Sequence, residues 1–407
     1  MARMDPSGAA RRAARTATLV GLASLASAMG IGRFAFTPLF PLMQDSAGIT
    51  LAQGAWIASA NYLGYLIGAV ASTVVAVKPA LAARWGLVAV AASTLVTAFA
   101  ETFAQWMVLR LIAGVASALV LVGASAWALP LLERNGRPKW SGWVFAGVGT
   151  GICLAGLAAL VVASLGADAR WAWGALGVGA AAVAALGWQP LAALEVASQP
   201  GRRTGLGRLD AAKWTLIGCY GIFGFGYILP ATFIPAAARA IVADPNIFAW
   251  AWPLFGLAAA VSTIAVSHLF NDAKPRVAAG TSFIVMALGV LLPVISTSLG
   301  TLCLAAVCVG GTFMVATMKC LQEAHRIAGD AAGPLISAMT AAFALGQLAG
   351  PLGVRPAGSI GEAIARPSAV ACALLLLAAV VMLLQREPTR AANGSPVADG
   401  GNHEPDR

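Results

Sequence analysis

The sequence predicts an all-α membrane protein of twelve transmembrane helices, arranged as two pseudo-symmetric bundles of six. Three observations predict it. Hydrophobic residues make up 59% of the chain and charged residues only 10%, where soluble proteins carry about 25% charged residues. The apolar residues gather into runs near the ~20 residues that cross about 30 Å of hydrocarbon. The first and second groups of six runs also repeat a pattern of glycine, proline and lysine, the mark of an internal duplication.

Taken in order, the spans of the first half fall at residues 16–43, 52–77, 85–104, 105–130, 141–165 and 169–189. The first holds "GIGRFAFTPLFP" at 30–41, where Gly30 and Gly32 before Arg33, and Pro38 and Pro41 after it, loosen the helix. The second carries Asn61 and Tyr65 one turn apart, with Gly68 and Ser72 continuing that face. The third and fourth are separated only around Glu101–Gln105, which implies a tight hairpin. The polar stretch "EVASQPGRRTGLGRLDAAK" at 195–213 then divides the chain.

The spans of the second half fall at 213–238, 246–270, 277–297, 299–320, 332–354 and 367–385. "GFGYILPATFIP" at 224–235 repeats 30–41, so Gly224, Gly226 and Pro235 stand for Gly30, Gly32 and Pro41, and Tyr227 stands for Arg33. "KP" at 78–79 recurs at 274–275, after the second span of each half. The organisation expected is a cytoplasmic segment 1–15, a bundle 16–190, a cytoplasmic linker 191–212, a bundle 213–388 and a disordered cytoplasmic tail 389–407, rich in Pro, Gly and Asn.

The loops give the orientation. With the amino terminus inside, 19 Lys and Arg lie on the cytoplasmic side, four outside (Arg170, Arg239, Arg355, Arg366) and three within spans (Arg33, Arg110, Lys319). That asymmetry follows the positive-inside rule and puts both termini in the cytoplasm. The net charge of +10 is thereby explained without a nucleic-acid partner, since no basic face with interleaved aromatics is present. Trp56, Trp85, Trp106, Trp140, Trp171 and Trp214 near span ends read as an interfacial belt.

Several other functions are disfavoured. The six cysteines form no CxxC pair and the three histidines are far apart, so neither a disulfide framework nor a metal site is expected. Basic residues followed by "ASA" at 26–28 imitate a signal peptide, but the apolar stretch runs on to Met43. "GIGRFA" imitates a dinucleotide fingerprint, yet it interrupts a membrane span rather than following a strand. "NGS" at 393–395 lies in the cytoplasmic tail and is no glycosylation site. A membrane enzyme would need a catalytic cluster and a channel a filter-like loop; neither is evident.

"RLIAGVASA" at 110–118, with Arg110 followed by Gly114, resembles the fourth-helix motif of the major facilitator superfamily, and the resemblance covers about residues 16–388. "GIGRFAFTPLFPLMQ" with "WIASANYLGYLIGA", and "YGIFGFGYILPATFIPA" with "LQEAHR", are similar to its bacterial YbfB/YjiJ-like subfamily. The resemblance implies the superfamily fold and a secondary carrier, with the first, fourth, seventh and tenth helices lining a central cavity. Two departures stand out. The 77–86 loop lacks the family's Gly and Asp, and the fifth span lacks the Gly-Pro pair associated with antiporters.

The candidate substrate-binding residues are Arg33, Asn61, Tyr65, Tyr227 and Gln347, and the candidate coupling or conformational residues are Arg110, Glu101 and Gly114. Three readings of Arg33 stand: a cavity ligand for an anion, suited by its planar fork; a structural arginine bonded to carbonyls; or a side chain snorkelling outward. Glu101 is a possible partner of Arg110 across the hairpin, and Lys319 is expected to snorkel at an inner helix end. Asn61 and Tyr65 serve close packing as readily as substrate contact.

No Asp or Glu lies clearly mid-span, so proton coupling is not visible. The function expected is a secondary active or facilitative carrier of a small solute by alternating access, with an organic anion preferred. The alternatives are a proton-coupled efflux carrier for drugs or cationic metabolites and, from a different class, a membrane-embedded enzyme. The partners expected are a small-molecule substrate, with or without a coupling proton, and the lipid bilayer; the chain is expected to act as a monomer, with no cofactor, catalytic residue or metal.

Overall fold

The structure, a computed structural model, describes residues 6–75, 77–194, 209–241, 250–270, 272–296, 298–329, 332–350 and 360–385. Among them twelve helical spans are long and apolar enough to cross a membrane. They are Gly8–Ala47, Ala52–Val74, Pro79–Thr97, Phe103–Arg134, Pro138–Ser164, Ala169–Ala193, Ala211–Ala231, Ala251–Leu269, Pro275–Ile295, Gly300–Ala328, Ala332–Ala349 and Ile364–Leu384. Each corresponds to one of the twelve apolar runs. The tail expected from 389 and most of the expected linker lie outside the described residues.

The boundaries differ from the sequence reading for local reasons. The first helix begins at Pro6, inside the segment expected at 1–15, because "AARRAAR" is built of strong helix formers. The third span begins at Pro79 rather than 85, and the ninth at Pro275 rather than 277. Each repeated "KP" is therefore a helix start, with proline at the first position where its missing N–H costs nothing. Arg84 consequently sits on a helix instead of in a loop, its guanidinium 3.8 Å from the centre of the Trp188 ring.

Two further expectations are corrected. The tenth-span helix runs on to Ala328 rather than ending near 320, so Lys319 is buried inside the protein and does not snorkel at a helix end. Trp56, Trp85, Trp171 and Trp214 are exposed as a belt requires, but Trp106 is buried and Trp140 half-buried. Trp106 packs in a core with Ala155, Ala172 and Trp173.

Small residues set how the helices meet. Lipid tails are as apolar as leucine, so membrane helices associate by close backbone approach and packing. A Cβ on Gly30 would strike the backbone of Gly151 in the fifth span, and one on Gly224 would strike the backbone of Phe343 in the eleventh. The repeated glycines thus make matching contacts, first span to fifth and seventh to eleventh. Across the halves, the second span packs on the eleventh and the fifth on the eighth. Along the latter seam Gly142 meets Thr263 and Ser267, Gly149 meets Gly256 and Ala260, and Gly156 meets Pro253.

Candidate functional site

The site begins with the break in the first span. Its helix Pro6–Leu25 gives way to a π-helical turn, Ala26–Ile31, then to a turn over 32–35, and resumes at Phe36–Ala47. The wide turn appears in the hydrogen bonds: Gly32 N–H donates to the Ser27 carbonyl at 2.8 Å and Phe34 N–H to Met29 at 3.1 Å. Pro38 then lacks the N–H that a continuing α-helix would direct at Phe34. Such a break leaves polar backbone groups to be satisfied from elsewhere, which inside a membrane means by protein or a polar cavity.

Arg110 of the fourth span supplies the donors. Its Nη1 donates to the Gly32 carbonyl at 2.9 Å and its Nη2 to the Arg33 carbonyl at 2.8 Å. Charge-assisted bonds of this kind are worth about 1.5–3 kcal/mol each. Ser117, two turns further along the same helix, donates to the Ala28 carbonyl at 2.7 Å. Asn61 of the second span donates from Nδ2 to the Arg110 carbonyl at 2.9 Å.

Gly114 makes this possible. A Cβ there would strike the Asn61 carbonyl and crowd the Tyr65 amide, so the second and fourth spans approach closely only where the side chain is absent. Gly64 and Gly68 make the reciprocal approach to the Leu111 and Val115 carbonyls. The expected Asn61–Ser72 face is therefore divided in use. Gly68 packs against the fourth span, and Ser72 bonds its own helix at the Gly68 carbonyl.

The expected Glu101–Arg110 partnership is not formed. Glu101 is exposed in the turn before the fourth span, where its backbone N–H donates to Gln105 Oε1 at 2.8 Å beside the Thr102–Gln105 capping box. Arg110 is buried and faces the first span instead.

With its carbonyl held by Arg110, Arg33 projects from the break towards the second half. It is 3% exposed, so it does not snorkel. Its guanidinium carbon lies 3.6 Å from the centre of the Tyr65 ring, a close cation–π contact. Nη2 donates to Gln347 Oε1 of the eleventh span. Nε and Nη1 are buried with no hydrogen-bond partner, as are Gln347 Nε2 and the Tyr227 hydroxyl. Among the described residues no carboxylate pairs with Arg33. Glu323 is buried, but it is bound by Arg326 at 2.6 and 2.8 Å.

The structure thus brings Arg33, Tyr65 and Gln347 into one cluster and places Tyr227 beside it across Phe343. The Phe343 ring centre is 6.0 Å from the Arg33 guanidinium and 6.2 Å from the Tyr227 ring. Asn61, Arg110 and Gly114 form the shell that positions Arg33, and Glu101 belongs to neither group.

Sequence reasoning missed the aromatic wall. Phe34 meets Tyr227 and Phe313 edge-on, with ring centres 6.4 and 6.1 Å apart, and Tyr227 stacks on Phe313 at 4.9 Å. Two signals were available. Phe34 follows Arg33 within the break, and Phe343 lies one helical turn before Gln347.

Two six-helix halves, a broken first helix and a buried cation with no carboxylate partner among the described residues have the form of a membrane carrier. The family model described as "Uncharacterised MFS-type transporter YbfB" matches residues 25–383. The chain belongs to that family of the major facilitator superfamily. Its fold is similar to the crystal structure of the human organic anion transporter MFSD10 (TETRAN), with a TM-score of 0.62. That match covers 94% of this chain and 99% of the other at 16% identity, so the likeness is one of fold. A search of curated proteins found no match.

Proposed function

We propose that this membrane transporter carries a small organic anion by alternating access, with Arg33 as the group that holds the negative charge. The observation that carries this reading is the buried guanidinium of Arg33, with two nitrogens lacking a hydrogen-bond partner and no carboxylate partner among the described residues. An isolated buried charge is costly, and an ionisable residue inside a membrane protein is by default a functional one. A cationic substrate would be repelled there. The human structural neighbour is an organic anion transporter, which accords with the reading without carrying it.

In this reading the halves 16–190 and 213–388 rock about the junction where Arg33 meets Gln347. A substrate anion competes with Gln347 for Arg33, and binding thereby loosens a direct bond between the halves. The protein works as a monomer in a bacterial inner membrane with both termini cytoplasmic, and nucleic acid has no part in it. With no carboxylate at Arg33 among the described residues, coupling to a proton is not required by this site.

Reconstitution into liposomes tests the proposal. Labelled organic anions, cations and neutral solutes are offered with and without a pH gradient. Anion uptake that is lost in Arg33→Ala is the expected result. Uptake of a cation with no flux of any anion would sink the reading.

A further inference from the structure

We propose that the substrate is a monocarboxylate with a planar aromatic body, its carboxylate held by Arg33, Gln347 and Tyr227 and its ring placed against Tyr227 and Phe313. This rests on the reading of Arg33 as an anion ligand and narrows it.

The polar atoms limit the charge. Arg33 Nε and Nη1, Gln347 Nε2 and the Tyr227 hydroxyl are all buried and unfilled, and all four can donate. One carboxylate, with two oxygens and about four acceptor sites, can take one bond from each of these four donor atoms. Asn61 Oδ1 is also unfilled, but it belongs to the amide whose Nδ2 holds the Arg110 carbonyl, on the side of the fourth span. A second carboxylate would need a second cation. Arg110 already donates from both terminal nitrogens to the Gly32 and Arg33 carbonyls, which leaves only its Nε without a partner, and the buried Lys319 lies more than a turn past Phe313 on the tenth span.

The rings limit the body. Tyr227 and Phe313 lie nearly parallel, 18° apart, and Phe343 lies 25° from Tyr227. Phe34 is the contribution of the first half, and it meets Tyr227 and Phe313 at 80° and 83°. In this closed arrangement two groups of the protein itself occupy the place of a ligand. The Gln347 amide oxygen stands on Arg33 where a carboxylate oxygen would, and the Phe34 edge stands where a flat ring would. When the halves part, the Gln347 oxygen and the Phe34 edge leave together, and as the halves close again on the substrate Gln347 presents its unfilled Nε2 to the carboxylate. An aromatic acid replaces an acceptor and a ring with the same two kinds of group, whereas an aliphatic acid replaces only the first.

The full chain in liposomes is loaded with benzoate, and uptake of labelled benzoate is competed with phenylacetate, cyclohexanecarboxylate and benzylammonium. Cyclohexanecarboxylate has the same charge and nearly the same size as benzoate but no flat face. It is expected to compete roughly fivefold more weakly than phenylacetate. Phe313→Leu is expected to erase that preference, and Tyr227→Phe, which keeps the ring, to weaken both acids while preserving their ratio.

Equal competition by the two acids, or an unchanged preference in Phe313→Leu, overturns the aromatic proposal and leaves the anion reading standing. Unaltered benzoate affinity in Tyr227→Phe overturns the cradle of donors, and this variant keeps the proposal testable if Phe313→Leu does not fold. Absence of benzoate and phenylacetate uptake at millimolar concentration, alongside uptake of an aliphatic anion, also overturns it. Uptake of benzylammonium with no anion flux overturns the anion reading itself.

Discussion

Arg33 and Arg110 are both buried arginines in spans of the first half, yet their surroundings give them opposite duties. Arg110 ends on two carbonyls, so it is structural by position. Replacing it with methionine leaves both carbonyls unfilled and is expected to cost about 2 kcal/mol or more, read as a lower melting temperature of the purified protein. Glu101→Gln should leave melting and uptake unchanged, because the exposed Glu101 supports neither arginine. Arg33 ends instead on a ring and one amide oxygen, with two donors spare. Arg33→Lys keeps the charge but loses the planar fork. Anion uptake should fall at least about tenfold, equivalent to ~1.4 kcal/mol, while the melting temperature stays close to that of the parent protein.

The element that matters most is the first span, and its neighbours are shaped to its break. Where the helix opens at Ala26–Ile31 and turns at 32–35, the fourth span brings Arg110 and Ser117 to the freed carbonyls. The second span is then held against the fourth at Gly114. Gly114→Ala inserts a methyl group against the Asn61 carbonyl, and overpacking of this kind costs typically 1–3 kcal/mol. The expected result is a lower melting temperature together with weaker uptake, since Asn61 and Tyr65 are displaced together. Unaltered uptake and melting would show that the two helices separate there without consequence. The sequence marked this region through its glycines and prolines, because those residues act on the local backbone. It did not reveal the π-helical turn, which depends on which neighbour satisfies the loosened carbonyls.

At the scale of the whole molecule, the halves meet along the second and eleventh spans and along the fifth and eighth. The latter seam is lined by Gly142, Gly149 and Gly156 against Thr263, Gly256 and Pro253. Gln322 donates to the Ser141 hydroxyl at 2.9 Å across the same boundary. The proposed orientation is open to direct test with single cysteines in a background lacking the six native ones. A membrane-impermeant maleimide should label Asp168→Cys in intact cells and Asn135→Cys only after lysis. The reverse pattern would invert the topology. The described ends of the spans agree with the apolar runs to within a turn or two in most cases, and the exceptions are instructive. Lys319 lies inside the tenth helix because that helix continues to Ala328, well past the apolar run that announces it.

The number of spans, the repeat and the charge within the first helix are legible in the sequence. These follow from one-dimensional rules: a bilayer of fixed thickness, a charge bias across it, and the backbone preferences of glycine and proline. Which arginine ends on carbonyls with both terminal nitrogens, and which keeps a terminal nitrogen without a partner, follows from the folded arrangement alone. Gln347 reaches Arg33 from 314 positions away, and Arg110 reaches it from 77. Contacts at that separation depend on how each helix is rotated about its axis and how closely small residues let the helices approach. No local pattern encodes that; the packing of all twelve helices does.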